Sequence, residues 1–270
     1  VDTSVKWLLY AGLASLQLAF MRYASHFVIS IFTIARGGIS RDRFATDHLR
    51  LVLFRAFLLV SATALNFIVL RYLSLTVVSA IMFSAPIVVC LLSWPMLGEK
   101  VGPWRWFAIG LGFLGVMVVI RPFGENYHWA ALLTCYNAIA LALYSILTRR
   151  LSGIVATETM QFYMGLLGTV SLLPMALWTW VMPQTLFEWG LLCCLGVWAW
   201  GGHELLTRAH GLAPANTLMP YTYSFLIFLT IESYLVFADI PDRWTLTGAA
   251  IIMLSGLTIW KRAEIREADV

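Results

Sequence analysis

The sequence predicts an all-α polytopic membrane protein made of two inverted five-helix repeats. Three observations carry that prediction. Of 270 residues, 60% are hydrophobic and 12% charged, with a mean hydropathy of +0.82; soluble domains carry about twice that share of charge. Apolar runs of about 17–25 residues, enough to cross a hydrocarbon core, recur along the whole chain. The two halves also echo one another at a fixed offset. The runs are continuous rather than alternating, which excludes a β-barrel.

Nine runs read as spans: 14–35, 49–70, 74–97, 104–120, 128–148, 158–180, 188–208, 215–237 and 244–260. The first is apolar around a single cation, Arg22, and the second carries Arg55, Ala62 and Asn66 on one mixed face. The third contains Pro86 at its centre, which removes a backbone hydrogen bond at a cost of about 3 kcal/mol in a helix interior. The fourth is rich in small residues, "AIGLGFLGV", and the fifth places Asn137 and Tyr144 two turns apart. The sixth opens on "MQFYMGLL"; the seventh holds Trp198, Trp200, Gly201-Gly202, His203 and Glu204. The eighth includes Asn216, Met219, Pro220, Tyr221, Tyr223 and Glu232, and the ninth repeats the small-residue pattern as "GAAIIMLSG". The connections are too short to hold an extramembrane domain.

The repeat follows from paired segments. "RYLSLTVVSAIMFSAP" resembles "RAHGLAPANTLMPYTY", "LGEKVGPW" matches "FADIPDRW", and "LQLAFMRY" pairs with "MQFYMGLL". The offset is roughly 137–144 residues, half the chain. The second half has a full helix, 128–148, where the first shows only "VDTSVKWLL". The reading is therefore a first repeat over 1–122 with a truncated first helix, a second repeat over 127–262, and a tail over 263–270. Five helices per repeat put the halves in opposite senses across the membrane.

Charge placement sets the orientation. With both termini cytoplasmic, twelve Lys and Arg fall on inner segments; only Lys6, Arg71, Arg121 and Arg243 fall on outer ones. The formal charge of +4 therefore reflects topology and calls for no nucleic acid. The cysteines Cys90, Cys135, Cys193 and Cys194 all lie in apolar spans without metal-type spacing. No G-x-x-x-x-G-K-[ST] loop is present, so this chain has no phosphate loop for ATP. "HELLT" at His203 has Thr207 where a zinc protease places its second histidine. No cofactor and no metal are expected, and an enzyme is not.

Two longer quotations, "RYLSLTVVSAIMFSAPIVVCLLSWPMLGEKVGPWRWFAIGLGFLGVMVVIRP" and "GHELLTRAHGLAPANTLMPYTYSFL", resemble the drug/metabolite transporter superfamily. Within it, they resemble the ten-helix exporters with two EamA-type domains. The likeness covers essentially the whole chain, with two departures: Ala238-Asp239 stands where the family pattern has Gly-Glu, and the first helix is truncated. The resemblance implies a secondary carrier of the bacterial inner membrane, working by alternating access through a cavity between the repeats, as a monomer or homodimer. Amino acids or similar small metabolites moved outward are the first expectation. Uptake or exchange of adenosyl-methionine or a nucleotide-linked compound is the alternative, or export of drugs.

Transport residues are then sought where spans are interrupted or polar. Pro86 and Pro220 break corresponding helices, the best sequence pointer to a carrier's binding site. Ser79, Met82 and Phe83 share Pro86's face. With Asn66, Asn137, Tyr144, Trp198, Tyr221 and Tyr223 they are the expected substrate-binding set. Arg22 and Arg55 are intramembrane cations that would meet a substrate carboxylate or pair with Glu158 or Glu204. Glu204 also has Arg208 one turn away. His203 is expected to make a structural or gating hydrogen bond, and Glu232 is a candidate proton site.

Overall fold

The computed structural model describes residues 1–36, 44–97, 103–121, 128–212 and 224–268. Among these, every regular element is a helix: α1 (Asp2–Tyr10), α2 (Ser15–Arg36), α3 (Leu49–Val69), α4 (Leu75–Met82), α5 (Ala85–Leu97), α6 (Pro103–Ile120), α7 (Ala130–Leu151), α8 (Thr157–Trp178), α9 (Leu186–Leu212), α10 (Ser224–Phe237) and α11 (Arg243–Ala268). Among the described residues, α2, α3, α7, α8 and the α4–α5 stretch Leu75–Leu92 are long and apolar enough to cross a membrane. The other four expected spans fall on α6, α9, α10 and α11.

Two boundaries differ from the apolar pattern. The third span is two helices rather than one. Ser74 opens α4 by accepting the Val77 N–H at 3.3 Å; α4 stops at Met82, and α5 restarts at Ala85. Pro86 thus sits in the first turn of α5, where a missing N–H has no helical acceptor to disappoint. At the other end of the chain, α11 runs past the apolar part to Ala268, taking in residues expected as tail. "KRAEIREA" is made largely of strong helix formers, so nothing local stops the helix. Lys6 is buried on α1, its Nζ 5.8 Å from the Tyr10 ring centre.

The chain forms two compact units, residues 1–71 with 147–212 and residues 72–146 with 213–270. Each draws on both sequence halves, so the repeat in sequence and compactness in space divide the chain differently.

In the first unit, α2 lies against α8 and α9. Small residues make this approach possible. A Cβ on Gly165 would come within 2.8 Å of the Phe27 backbone, and one on Gly196 within 2.8 Å of the Arg22 carbonyl. Gln17 fixes the segment after α8 with a two-way bond, Nε2 donating to the Val181 carbonyl (2.8 Å) and Oε1 accepting its N–H (3.0 Å). Val52, Leu151, Val155 and Met160 form a small buried cluster at the other end.

In the second unit, α6 and α11 pack together through Gly115 and Gly248, each facing the other's carbonyl. Ser255 Oγ donates to the Ala108 carbonyl across the same seam. Ile81, Phe83, Ile87, Val116 and Ile252 belong to the apolar core around it. The small-residue patterns of the fourth and ninth spans are thus a helix seam within this unit.

Candidate functional site

Polar side chains inside apolar helices must find partners or water, and in the first unit they find one another. Arg22 on α2 is nine-tenths buried and Arg55 on α3 is fully buried. Arg22 Nη1 donates to Thr63 Oγ1 (2.5 Å), which is also within 2.9 Å of the Tyr23 hydroxyl. Arg22 Nη2 lies 2.9 Å from His203 Nε2. The Tyr23 and Phe67 rings lie 5.3 Å and 5.9 Å from the guanidinium carbon, within cation–π range. Arg55 Nε donates to Thr148 Oγ1 (2.7 Å) and Nη2 to Thr207 Oγ1 (3.2 Å).

Next to His203 in sequence, Glu204 accepts from Arg208 Nε at 2.8 Å and forms an ion pair with it. Its other oxygen faces Gln161 Nε2 at 3.4 Å. Ser30, Thr33, Glu158, Gln161, Trp200 and Glu204 line one narrow cleft. Nearby, Arg22 Nε is buried with no hydrogen-bond partner among the described residues. In the first unit Arg22 and Arg55 thus sit in a polar interior, where among the described residues Arg22 is bonded to Thr63 Oγ1 and His203 Nε2.

The residues expected to line a cavity divide between the two units. Asn66, Trp198, Arg22, Arg55, His203 and Glu204 belong to the first. Asn66 is half-buried, and Trp198 is 46% exposed on α9. Gly201 and Gly202, expected to permit close approach, face open space within 4 Å of where a Cβ would stand. Ser79, Met82, Phe83, Pro86, Asn137, Tyr144 and Glu232 belong to the second unit. Ser79 bonds back to the Leu75 carbonyl at 2.8 Å, and Phe83 is part of the apolar core. Asn137 and Tyr144 are buried on one face of α7, Met82 is half-buried, and Glu232 is exposed on α10. Pro220, Tyr221 and Tyr223 lie outside the described residues, as do Asn216 and Met219.

Thr63, Thr148, Thr207, His26 and Gln161 escape a reading of the sequence, because a lone hydroxyl or amide in an apolar run has no distinctive pattern. The spacing Arg22–His26 and His203–Thr207, one turn apart in each case, is the signal that could have found two of them.

A family profile described as the EamA-like transporter family matches residues 3–121. The chain is 31% identical to a riboflavin transporter of Vibrio cholerae over 258 residues, spanning 94% of this chain and 86% of that one. The chain belongs to the EamA-like transporter family. Among other members, an S-adenosylmethionine uptake transporter of Rickettsia bellii is 31% identical over 68% of this chain and 63% of its own. A pseudopaline exporter of Pseudomonas aeruginosa is 24% identical over 92% of this chain and 87% of its own. A solved crystal structure shares this fold with a TM-score of 0.70 at 16% identity, over 96% of this chain and 93% of that one. Family membership makes this an integral membrane transporter. The polar interior around Arg22 and Arg55 is the candidate site within its first unit.

Proposed function

We propose that this EamA-family transporter is a secondary carrier of zwitterionic metabolites with an amino-acid head group. Amino acids themselves and adenosyl-methionine-type conjugates are the substrate class. It works by alternating access in the inner (plasma) membrane, with both termini cytoplasmic. The observation that carries the reading is Arg22, buried on α2 and bonded, among the described residues, to Thr63 and His203. Keeping a guanidinium in an apolar span is expensive, and a substrate carboxylate is the chemistry that uses it. The likeness to an S-adenosylmethionine uptake transporter supports the same head group.

A second reading has its own support. Two relatives matched over most of this chain are riboflavin transporters, of Vibrio cholerae and of Rhizobium johnstonii, the latter 28% identical over 99% of this chain. Riboflavin carries no carboxylate, so this reading makes Arg22 a scaffold residue or a donor to the flavin's carbonyl oxygens.

Counterflow in proteoliposomes separates them. Saturable exchange of labelled amino acids or S-adenosylmethionine supports the first reading. Exchange of riboflavin with none of the zwitterions replaces it by the second. Repeating uptake and efflux in vesicles of known sidedness tests the direction.

A further inference from the structure

We infer that Arg22 and His203 together form a proton-linked binding site for the substrate's carboxylate. The inference rests on the carrier reading above and adds a coupling ion to it. A guanidinium stays protonated in proteins, so across the 2.9 Å contact Arg22 Nη2 donates and His203 Nε2 accepts. His203 therefore turns a lone pair to Arg22, holds its proton on Nδ1 and is neutral. Arg22 Nε, on the same edge of the guanidinium as Nη2, is buried without a partner among the described residues. That edge matches the two oxygens of a carboxylate, the strongest geometry an arginine offers.

A carboxylate bridging Nε and Nη2 displaces His203 from Arg22. Before displacement, a proton on Nε2 would set two N–H donors and two positive charges 2.9 Å apart. Afterwards the lone pair is free and the adjacent group is an anion, so Nε2 takes a proton from whichever aqueous side is open. One carboxylate enters with one proton, and both leave together on the other side. Thr63 Oγ1 and the Tyr23 hydroxyl hold the far side of the guanidinium meanwhile.

The groups around His203 favour this order. Arg22 and His26 on α2 and Arg55 on α3 act on it electrostatically, and all three are cationic or neutral. From α8, Glu158 lines the cleft below with Glu204 of α9. Glu204 is held by Arg208, and Lys6 of α1 is turned to Tyr10.

The test uses the full chain in proteoliposomes, with labelled S-adenosylmethionine and a panel of amino acids as carboxylate-bearing probes and riboflavin as the probe without one. Arg22→Gln is expected to lower carboxylate-probe exchange roughly tenfold or more, with Arg22→Lys between it and wild type. An inward proton gradient should accelerate net uptake by the wild type, and His203→Gln should bring that acceleration ratio to one. If Arg22→Gln does not fold, Arg22→Lys and His203→Gln still decide. Carboxylate exchange equal to wild type in Arg22→Lys and Arg22→Gln, or an acceleration ratio retained in His203→Gln, overturns the inference and leaves the carrier reading standing. Exchange of riboflavin alone overturns it in favour of the second reading. If no probe exchanges, the carrier reading falls and takes this inference with it.

Discussion

Arg121 and Asp242 form an ion pair of 2.6 Å at the ends of α6 and α11. Asp242 also begins α11, its Oδ1 accepting the Thr245 N–H at 2.8 Å. One carboxylate thus caps a helix and ties it to the end of its seam partner. Burial pushes the Asp242 carboxyl upward, but the hydrogen bonds from Thr245 and the Arg121 guanidinium outweigh it and hold the group below its usual value.

The sign of the pH effect follows. A carboxyl depressed in the folded state contributes stability above its ordinary value, near 4, and loses it as pH falls through the lower, folded one. The melting temperature in detergent should therefore hold from neutral pH to about 5 and drop below about 4. Asp242→Asn keeps the cap while discarding the exposed pair and should flatten the acid side of that curve; Asp242→Ala should cost about 1 kcal/mol at neutral pH. Equal acid slopes in wild type and Asp242→Asn would count against the assignment.

Ala238 ends α10 with φ at +52°, its N–H bonded to the Tyr234 carbonyl. This is the left-handed cap position that glycine fills best, and it is where the family pattern has Gly. Ala238→Gly should stabilise the protein by up to about 1 kcal/mol, read as a rise in melting temperature; a fall would refute the strain.

Glycines of α9 should divide by what faces them. At Gly196 a Cβ meets the Arg22 carbonyl, whereas at Gly190, Gly201 and Gly202 it meets nothing within 4 Å. Gly196→Ala should destabilise by about 1–3 kcal/mol through overpacking. Gly190→Ala should stabilise by up to about 1 kcal/mol through helix propensity. Thermal unfolding of the pair checks both signs.

Thr148 accepts the Arg55 Nε–H at 2.7 Å in a fully buried site. Thr148→Val keeps the shape and removes the acceptor, which should cost about 1–3 kcal/mol. Thr148→Ser keeps a hydroxyl and should recover most of it in the same melt.

Pro86 lies in the first turn of α5 rather than within a continuous helix. Pro86→Ala should therefore shift stability by less than about 1 kcal/mol, far below the roughly 3 kcal/mol of a helix-interior proline. A larger stabilisation on substitution would mean that the proline is what breaks the helix.

Composition and local pattern are legible in the amino-acid sequence. Apolar runs marked the spans, since every backbone group in a bilayer must bond within its own helix. Pro86 marked the interruption between Met82 and Ala85, because its missing N–H fits only a first turn. Family residues such as "LGEKVGPW" pointed to the transporter family. Tertiary structure alone decided which polar groups meet. Arg22 reaches His203 across 181 positions and Arg55 reaches Thr207 across 152. Such pairs depend on how closely α2 approaches α9 at Gly196 and which faces turn inward. No periodicity records that, because a hydroxyl on an apolar helix reads the same whether it faces an arginine or its own backbone.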